Sequence, residues 1–75
     1  MSSTLVWEKV EKPQSHYLDG ELKFALREQY GEPVDKVFTP EDLNYLDGLA
    51  YSLKEAKKLR ELILKYGEVR VYEEF

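Results

Sequence analysis

Ser15, His16 and Asp19 are the residues of this chain whose types come closest to a catalytic set, because serine, histidine and aspartate together form nucleophilic triads. Their spacing does not suit that chemistry. Neighbouring side chains in an extended segment point to opposite sides, so Ser15 and His16 are poorly placed to act as nucleophile and base. We therefore expect His16, the only histidine, to be an ordinary loop residue before a helix.

The two Asp-Gly pairs, at Asp19 and Asp47, carry a second kind of chemistry, the binding of a cation through oxygen atoms. A calcium loop has acidic ligands at alternating positions before its glycine, and neither pair has them. The sequence has no cysteine, which excludes disulfides and thiolate metal sites. Asp19 is instead placed to cap a helix, and we expect no metal site.

Phosphate loops and catalytic carboxylate pairs also find no support in the sequence. The four glycines are isolated, at positions 20, 31, 48 and 67, so they form no glycine-rich loop. The pairs Glu41-Asp42 and Glu73-Glu74 are adjacent residues, which is typical of solvation and of helix-dipole compensation. We therefore predict that the protein is not an enzyme and has no cofactor.

Length and charge bound the class of protein further. A chain of 75 residues forms one domain, and we predict a single domain over 1–75 with 1–3 disordered. So small a domain buries only about 60% of its unfolded surface, which favours self-association or a partner when disulfides are excluded. The formal charge of −4 disfavours nucleic acid as the main partner.

The apolar residues are not arranged for a membrane. No apolar run approaches the length of a membrane span, and the first residues lack the apolar segment of a signal peptide. We predict a cytoplasmic protein without membrane association.

Strands are predicted near both ends of the chain. Residues 4–11 are rich in β-forming types and end before Pro13, and residues 68–74 alternate apolar and polar side chains. Residues 32–38 are extended between two prolines and predict a short third strand. The alternation places Val69, Val71 and Phe75 on one face of the last strand.

Three helices are predicted between these strands. The first covers 18–30 and ends at Gly31, and the second opens at Thr39, with Pro40 in its first turn. The third opens with a capping box formed by Ser52 and Glu55 and continues to Tyr66. The predicted fold class is α+β, in the order β-α-(β)-α-α-β, with the terminal strands in one small sheet covered by three helices. The predicted core residues are Leu22, Leu26, Leu43, Leu46, Leu59, Leu62 and Ile63.

Two short sequences recur, YLDG at 17–20 and 45–48 and YGE at 30–32 and 66–68. Both YGE copies stand where a helix should end, which explains the glycine. The first YLDG opens a helix and the second is expected to interrupt or bend one. The number of residues between YLDG and the following YGE also differs between the two occurrences. We therefore interpret both sequences as local signals for turns and helix ends, with a degraded duplication as the alternative.

Phe24 and Leu64 lie outside the apolar faces of their predicted helices, and Tyr17, just before the first helix, also lies away from its apolar face. They either pack under a strand or loop or form an apolar contact patch. The chain also has six tyrosines, more aromatic surface than a small core needs, and an open sheet edge is expected. We predict a non-enzymatic protein-binding module whose partner is another protein or a second copy. The contact would lie on Tyr17 and Phe24, with Leu64 as a further candidate, or on the strand edge.

Two alternative functions remain. The order of a helix, a second helix opened by TPEDL, a turn, and SLKEAKKLRELILKYGEVRVY resembles that of winged-helix proteins. The resemblance implies that 68–72 begins a wing and that one set of residues faces DNA: Ser52, Lys54, Lys57 and Lys58. Glu55 and Glu61 on the same helix oppose this. The other alternative is a protein that sequesters a small ligand such as a nucleotide in a cavity lined by several tyrosines.

The chain as a whole is similar to the short accessory proteins of bacteriophages and prophages. The similarity rests on a compact, cysteine-free, charged and tyrosine-rich domain with the segments FTPEDL and LKYGEVRV. It implies a small regulator or inhibitor that binds another protein, such as a host protein.

Overall fold

The computed structural model describes residues 3–18 and 20–75. It has four strands, β1 (Thr4–Lys9), β2 (His16–Tyr17), β3 (Asp35–Phe38) and β4 (Val69–Glu74), and three helices, α1 (Glu21–Tyr30), α2 (Leu43–Ala50) and α3 (Lys54–Tyr66). A turn of 3₁₀-helix, Pro40–Asp42, leads into α2. The predicted α+β class is confirmed.

The four strands form one antiparallel sheet in the order β2-β1-β4-β3. The terminal strands β1 and β4 are neighbours, with Thr4 opposite Glu74 and Lys9 opposite Val69, as predicted. The short third strand is also confirmed and pairs with β4. Strand β2 was not predicted. It consists of two residues that pair with Val6 and Trp7 of β1, so its structure depends on that pairing.

The three helices pack on one face of the sheet, which we call the inner face. Strand residues on this face alternate with residues on the other face, and they join buried helix residues in one apolar core. The strand residues of the core are Leu5, Trp7, Phe38, Val69 and Val71. The helix residues of the core are Leu22, Leu26, Leu46, Ala56, Leu59 and Ile63, with Leu43 and Leu62 partly buried against them. The predicted core is confirmed.

The opposite face carries no described helix, and we call it the open sheet face. Its residues are Thr4, Val6, Glu8, Tyr17, Asp35, Val37, Arg70 and Tyr72. Tyr17 belongs to this face because it lies directly opposite Val6 in the register of β1 and β2.

Helix boundaries follow the sequence signals in most places. Gly31 and Gly67 end α1 and α3 with φ values of 90° and 83°, a conformation that a residue with a Cβ rarely adopts. Thr39 opens the second helical segment with a capping box, in which Glu41 N donates to Thr39 Oγ1 and Thr39 N donates to Asp42 Oδ2.

Other boundary predictions were wrong. Helix α3 begins at Lys54 after Leu53, without a side-chain cap, and the Ser52 hydroxyl donates back to the carbonyl oxygen of Leu49. The capping box of Ser52 and Glu55 therefore does not form. Helix α2 runs through the second YLDG without interruption to Ala50.

Two predictions concern the residues before α1 and the start of the chain. Helix α1 begins at Glu21, three residues later than predicted, and the predicted cap Asp19 lies outside the described residues. Of the residues expected to be disordered, positions 1 and 2 also lie outside the described residues. Ser3 is described, and contrary to that expectation it is buried and hydrogen-bonded.

Candidate interaction surfaces

A buried polar cluster lies where α1 meets the end of β4, and its centre is the carboxylate of Glu73. The Glu73 side chain has no exposed surface. Its Oε1 accepts hydrogen bonds from Ser3 Oγ at 2.6 Å and from Arg27 Nε at 2.8 Å. Its Oε2 accepts from the backbone N–H of Val34 at 2.6 Å. We call Ser3, Arg27, Val34 and Glu73 the Glu73 cluster. The prediction that the Glu73-Glu74 pair is solvated is therefore wrong for Glu73.

The charge of Glu73 is stabilised by these donors. Burial alone would raise the pKa of the carboxyl group, but the hydrogen bonds from Arg27, Ser3 and Val34 outweigh it and lower the pKa to about 2. Lys23 completes the surroundings by donating from Nζ to the Ser3 carbonyl oxygen at 2.8 Å. These donors are paired with acceptors of the chain itself, so the cluster holds the fold together and is a poor site for a ligand.

Phe24 lies beside this cluster and is 62% exposed. Its ring centroid is 5.3 Å from Lys23 Nζ and 6.0 Å from the Arg27 guanidinium carbon. Phe75, two residues beyond Glu73, is 74% exposed. Two exposed aromatic side chains therefore flank the same end of the sheet, and only Phe24 was identified from the sequence.

A second charged network lies on the open sheet face and is centred on Arg70. Its guanidinium donates to both oxygens of Asp35, at 2.9 and 2.8 Å, and to Glu8 Oε1 at 3.0 Å. The hydrogen bonds to Asp35 and Glu8 raise the pKa of Arg70, and the bond from Arg70 lowers the pKa of Asp35. The Arg70 guanidinium also stacks 4.1 Å from the centroid of the Tyr72 ring.

Tyrosine side chains cover the centre of the open sheet face. Val6 lies between Tyr17 and Tyr72 in neighbouring strands and is only 5% exposed, although no described helix covers it. The hydroxyl groups of Tyr72 and Ser15 are hydrogen-bonded at 2.6 Å. Tyr17 itself is 63% exposed. The face therefore presents tyrosine and arginine, two residue types that are enriched in protein interfaces.

The third surface is the outer side of α3. Leu64 is 60% exposed there, since α3 packs on the core through Ala56, Leu59 and Ile63. The residues predicted to face DNA are all exposed on or next to this helix: Ser52, Lys54, Lys57 and Lys58. Within the described residues, Lys54, Lys57 and Lys58 form no ion pair. Arg60 is paired with Asp47 of α2.

The structure does not bring the three predicted contact residues together. Tyr17 is on the open sheet face, Phe24 is on α1 beside the Glu73 cluster, and Leu64 is on α3, outside the side that packs on the core. Sequence reasoning also missed Tyr51, which lies in the turn between α2 and α3 and is 95% exposed. Its position just past the apolar stretch of α2 was the only signal in the sequence.

The wing expected from the resemblance to winged-helix proteins does not form. Residues 69–74 make up β4, which lies inside the sheet between β1 and β3 and is hydrogen-bonded on both sides. A wing has to project from the domain to reach DNA. The prediction that 68–72 begins a wing is therefore wrong, whereas the lysines of α3 remain accessible.

The residues considered for catalysis and ligand binding are engaged elsewhere. Ser15 is bonded to Tyr72, and the His16 ring stacks on Trp7 with centroids 4.4 Å apart. Among the described residues, no group of three or more histidine, aspartate or glutamate side chains is arranged to hold a metal ion. Three surface cavities contain one tyrosine each, Tyr66, Tyr17 and Tyr51 respectively.

Comparison with family models, curated proteins and solved structures gives no match to this chain. In the described part of the chain, none of the helices has the length and apolar character needed to cross a membrane.

Proposed function

We propose that this chain is a non-enzymatic protein-binding module that contacts its partner through the open sheet face. The observation that carries the proposal is the grouping of Tyr17, Tyr72 and Arg70 on a sheet face without a described helix. Tyrosine and arginine supply most of the binding energy in many interfaces, because they combine a large contact area with directional hydrogen bonds.

The arrangement of these side chains supports the proposal further. Arg70 is held by Asp35 and Glu8, and Tyr72 by Ser15, so both are ordered before a partner arrives. An ordered surface loses less conformational entropy on binding than a mobile one. Tyr17, at the exposed edge of the face, is the most accessible of the three and is the residue to test.

The resemblance to phage accessory proteins favours a small regulator or inhibitor, with a host protein as its partner, acting in the cytoplasm. DNA binding is the second candidate. Three exposed lysines of α3 favour it, because they form no ion pair in the described part of the chain: Lys54, Lys57 and Lys58. Glu55 and Glu61 on the same helix oppose it.

The test compares two tyrosine variants that differ in location. Tyr17→Ser removes a 63% exposed tyrosine from the open sheet face, and Tyr51→Ser removes a 95% exposed tyrosine from the helical layer. Tagged wild-type protein and both variants are used to capture proteins from a cell lysate, and self-association is measured by light scattering. We expect Tyr17→Ser to weaken capture about tenfold or more, and Tyr51→Ser to leave it unchanged.

Thermal unfolding of each variant shows whether it is folded. The proposal fails if the wild-type protein is a monomer that captures no more than the tag alone. If Tyr17→Ser and Tyr51→Ser capture proteins equally well, the contact does not lie on the open sheet face. Phe24→Ser and Leu64→Ser then show whether it lies beside the Glu73 cluster or on α3.

A further inference from the structure

The sheet has two edges that differ in their capacity to pair. At one edge, β2 has only two residues, His16 and Tyr17, which is too short to guide another strand. At the other edge, β3 has four residues and is bonded to β4 on one side only. Among the described strands, β3 is therefore the edge at which pairing with another strand would continue the sheet.

The backbone groups that β3 leaves open can be assigned from its register. Glu73 N donates to the Val34 carbonyl oxygen at 2.9 Å, and Lys36 and Phe38 lie opposite Val71 and Val69. Because hydrogen-bonded residues alternate along an antiparallel strand, the residues that direct their backbone groups to β4 are Val34, Lys36 and Phe38. Asp35 and Val37 direct theirs away from it. The open edge thus presents two N–H and two C=O groups.

We infer that this edge pairs with the same edge of a second copy, in antiparallel orientation and with Lys36 on the two-fold axis. This inference goes beyond the proposed function, because the β3 edge is a second contact, separate from the one proposed for the open sheet face. In that register Asp35 lies opposite Val37 of the second copy, and Val37 opposite Asp35. All four open groups of each copy are then hydrogen-bonded across the interface.

The two neighbouring registers are less favourable. Centring the axis on Asp35 places Val37 opposite Pro33 of the second copy, and because proline has no N–H to donate, the carbonyl oxygen of Val37 would stay unpaired. Centring it on Val37 requires the N–H of Thr39, and that N–H already donates to Asp42 Oδ2 at 2.9 Å. The register centred on Lys36 places the two Lys36 side chains opposite each other, but it leaves none of these backbone groups unpaired.

The charged side chains of β3 are paired within each copy. Charged side chains on an edge strand normally oppose pairing. Here Asp35 accepts hydrogen bonds from Nε and Nη2 of Arg70, and Lys36 Nζ is 3.5 Å from Asp42 Oδ1. Lys36 also lies over two aromatic rings, with Nζ 4.9 and 5.3 Å from the ring centroids of Tyr30 and Phe38. The two Lys36 side chains on the axis are therefore each paired before the copies meet.

The pairing has a consequence for the proposed function. The sheet would continue from one copy to the other as eight strands, and the two open sheet faces would form one surface. Because each copy contributes only four edge residues, the interface is small, and we expect a weak dimer that dissociates on dilution.

Val37 gives a sharp test because its N–H points away from β4. Val37→Pro removes one intermolecular donor from each copy without removing a hydrogen bond of the monomer, and proline is accepted in edge strands at such positions. Val37→Thr is the matched control, since it keeps both the N–H and the β-branched shape. We expect the dimer of Val37→Pro to be about tenfold weaker or more, and that of Val37→Thr to equal the wild type.

Sedimentation velocity over a dilution series measures the dimer, and amide hydrogen exchange identifies the contact. We expect the amides of Asp35 and Val37 to exchange more slowly in concentrated than in dilute wild-type protein. If Val37→Pro fails to fold, this exchange measurement decides alone.

The inference is overturned by a wild-type protein that stays monomeric at every concentration. It is also overturned by a Val37→Pro dimer as strong as that of the wild type, or by exchange at Asp35 and Val37 that does not depend on concentration. A monomer that still captures another protein through Tyr17 would leave the proposed function standing, so the two failures are distinguishable.

Discussion

The two faces of the sheet each hold a buried glutamate paired with an arginine, but they bury it by different means. On the inner face, Glu73 is enclosed by α1 and the start of the chain, and its side chain has no exposed surface. On the open sheet face, the Glu8 side chain is 11% exposed and accepts a hydrogen bond from Arg70 of the same sheet. The side chain of Arg70, its partner, is 36% exposed and also binds Asp35.

This difference gives the two faces different roles, with the inner face contributing mainly to folding stability and the open sheet face mainly to binding. Removing the cover from the inner face means displacing a helix, so its contacts contribute to folding. The cover of the open sheet face consists of side chains such as Tyr17, Tyr72 and Arg70, which can move or bind a partner without unfolding the domain. We therefore expect substitutions on the inner face to lower stability, and substitutions on the open sheet face to affect mainly binding.

The largest expected effect is at Glu73. Glu73→Ala leaves the Val34 N–H without its acceptor and leaves the partly buried guanidinium of Arg27 only its longer contacts with Ser3 and Glu32, so the free energy of unfolding should fall by about 3 kcal/mol or more. Glu8→Ala should cost about 1 kcal/mol, because Arg70 keeps Asp35 and is partly exposed. Urea unfolding measures both, with Glu74→Ala as the exposed neighbouring control. Equal losses at Glu73 and Glu8 would remove the distinction between the two faces.

The second largest effect is expected at low pH, where protonation of Glu73 should lower the free energy of unfolding. The pKa of Glu73 is about 2 in the folded protein against an ordinary 4.5, so its stabilisation is complete above about pH 5 and is lost as the pH falls toward 2. The shift corresponds to roughly 3 kcal/mol. We expect the stability of Glu73→Gln, measured by urea unfolding at several pH values, to fall by correspondingly less over this range. Parallel curves for wild type and variant would contradict the assigned pKa.

Adjacent residues on the two faces provide the smallest and most direct comparison. Leu5 is fully buried under the helices and Val6 is 5% exposed on the open sheet face. Leu5→Ala should lower the free energy of unfolding by about 3 kcal/mol, and Val6→Ala by about half of that or less. The side chains above Val6 can close over the smaller residue, whereas those around Leu5 are fixed by the packed core. A Val6→Ala loss as large as that of Leu5→Ala would show that the open sheet face is as rigid as the core.

Sequence patterns predicted the elements that are stabilised locally. The helix start at Thr39 and the glycines at 31 and 67 act through neighbouring residues, so they could be recognised without a structure. Strand β2 could not, because His16 and Tyr17 are held by pairing with β1 and show no alternation of their own.

Only one part of the Glu73 cluster, the burial of Glu73, could be predicted from the sequence. Alternation with Val69 and Val71 places Glu73 on the inner face, so its burial could have been inferred. Its arginine partner could not, because Arg27 is 46 residues away and the contact depends on how α1 packs on the sheet. The register of β3, which leaves Asp35 and Val37 open, likewise appears only in the folded sheet.

The adjacency of β1 and β4 determines how the domain responds to a mechanical force. Thr4 lies opposite Glu74, so a pull applied at these two residues would separate two antiparallel neighbours from one end. The inter-strand hydrogen bonds are perpendicular to the strands, so such a pull loads them one pair at a time. The Glu73 cluster lies at the end that is loaded first, and its bonds between Ser3, Arg27 and Glu73 would be the main resistance. Once these bonds break, the hydrogen-bonded pairs between β1 and β4 should separate one after another at low force, whatever the thermodynamic stability of the domain.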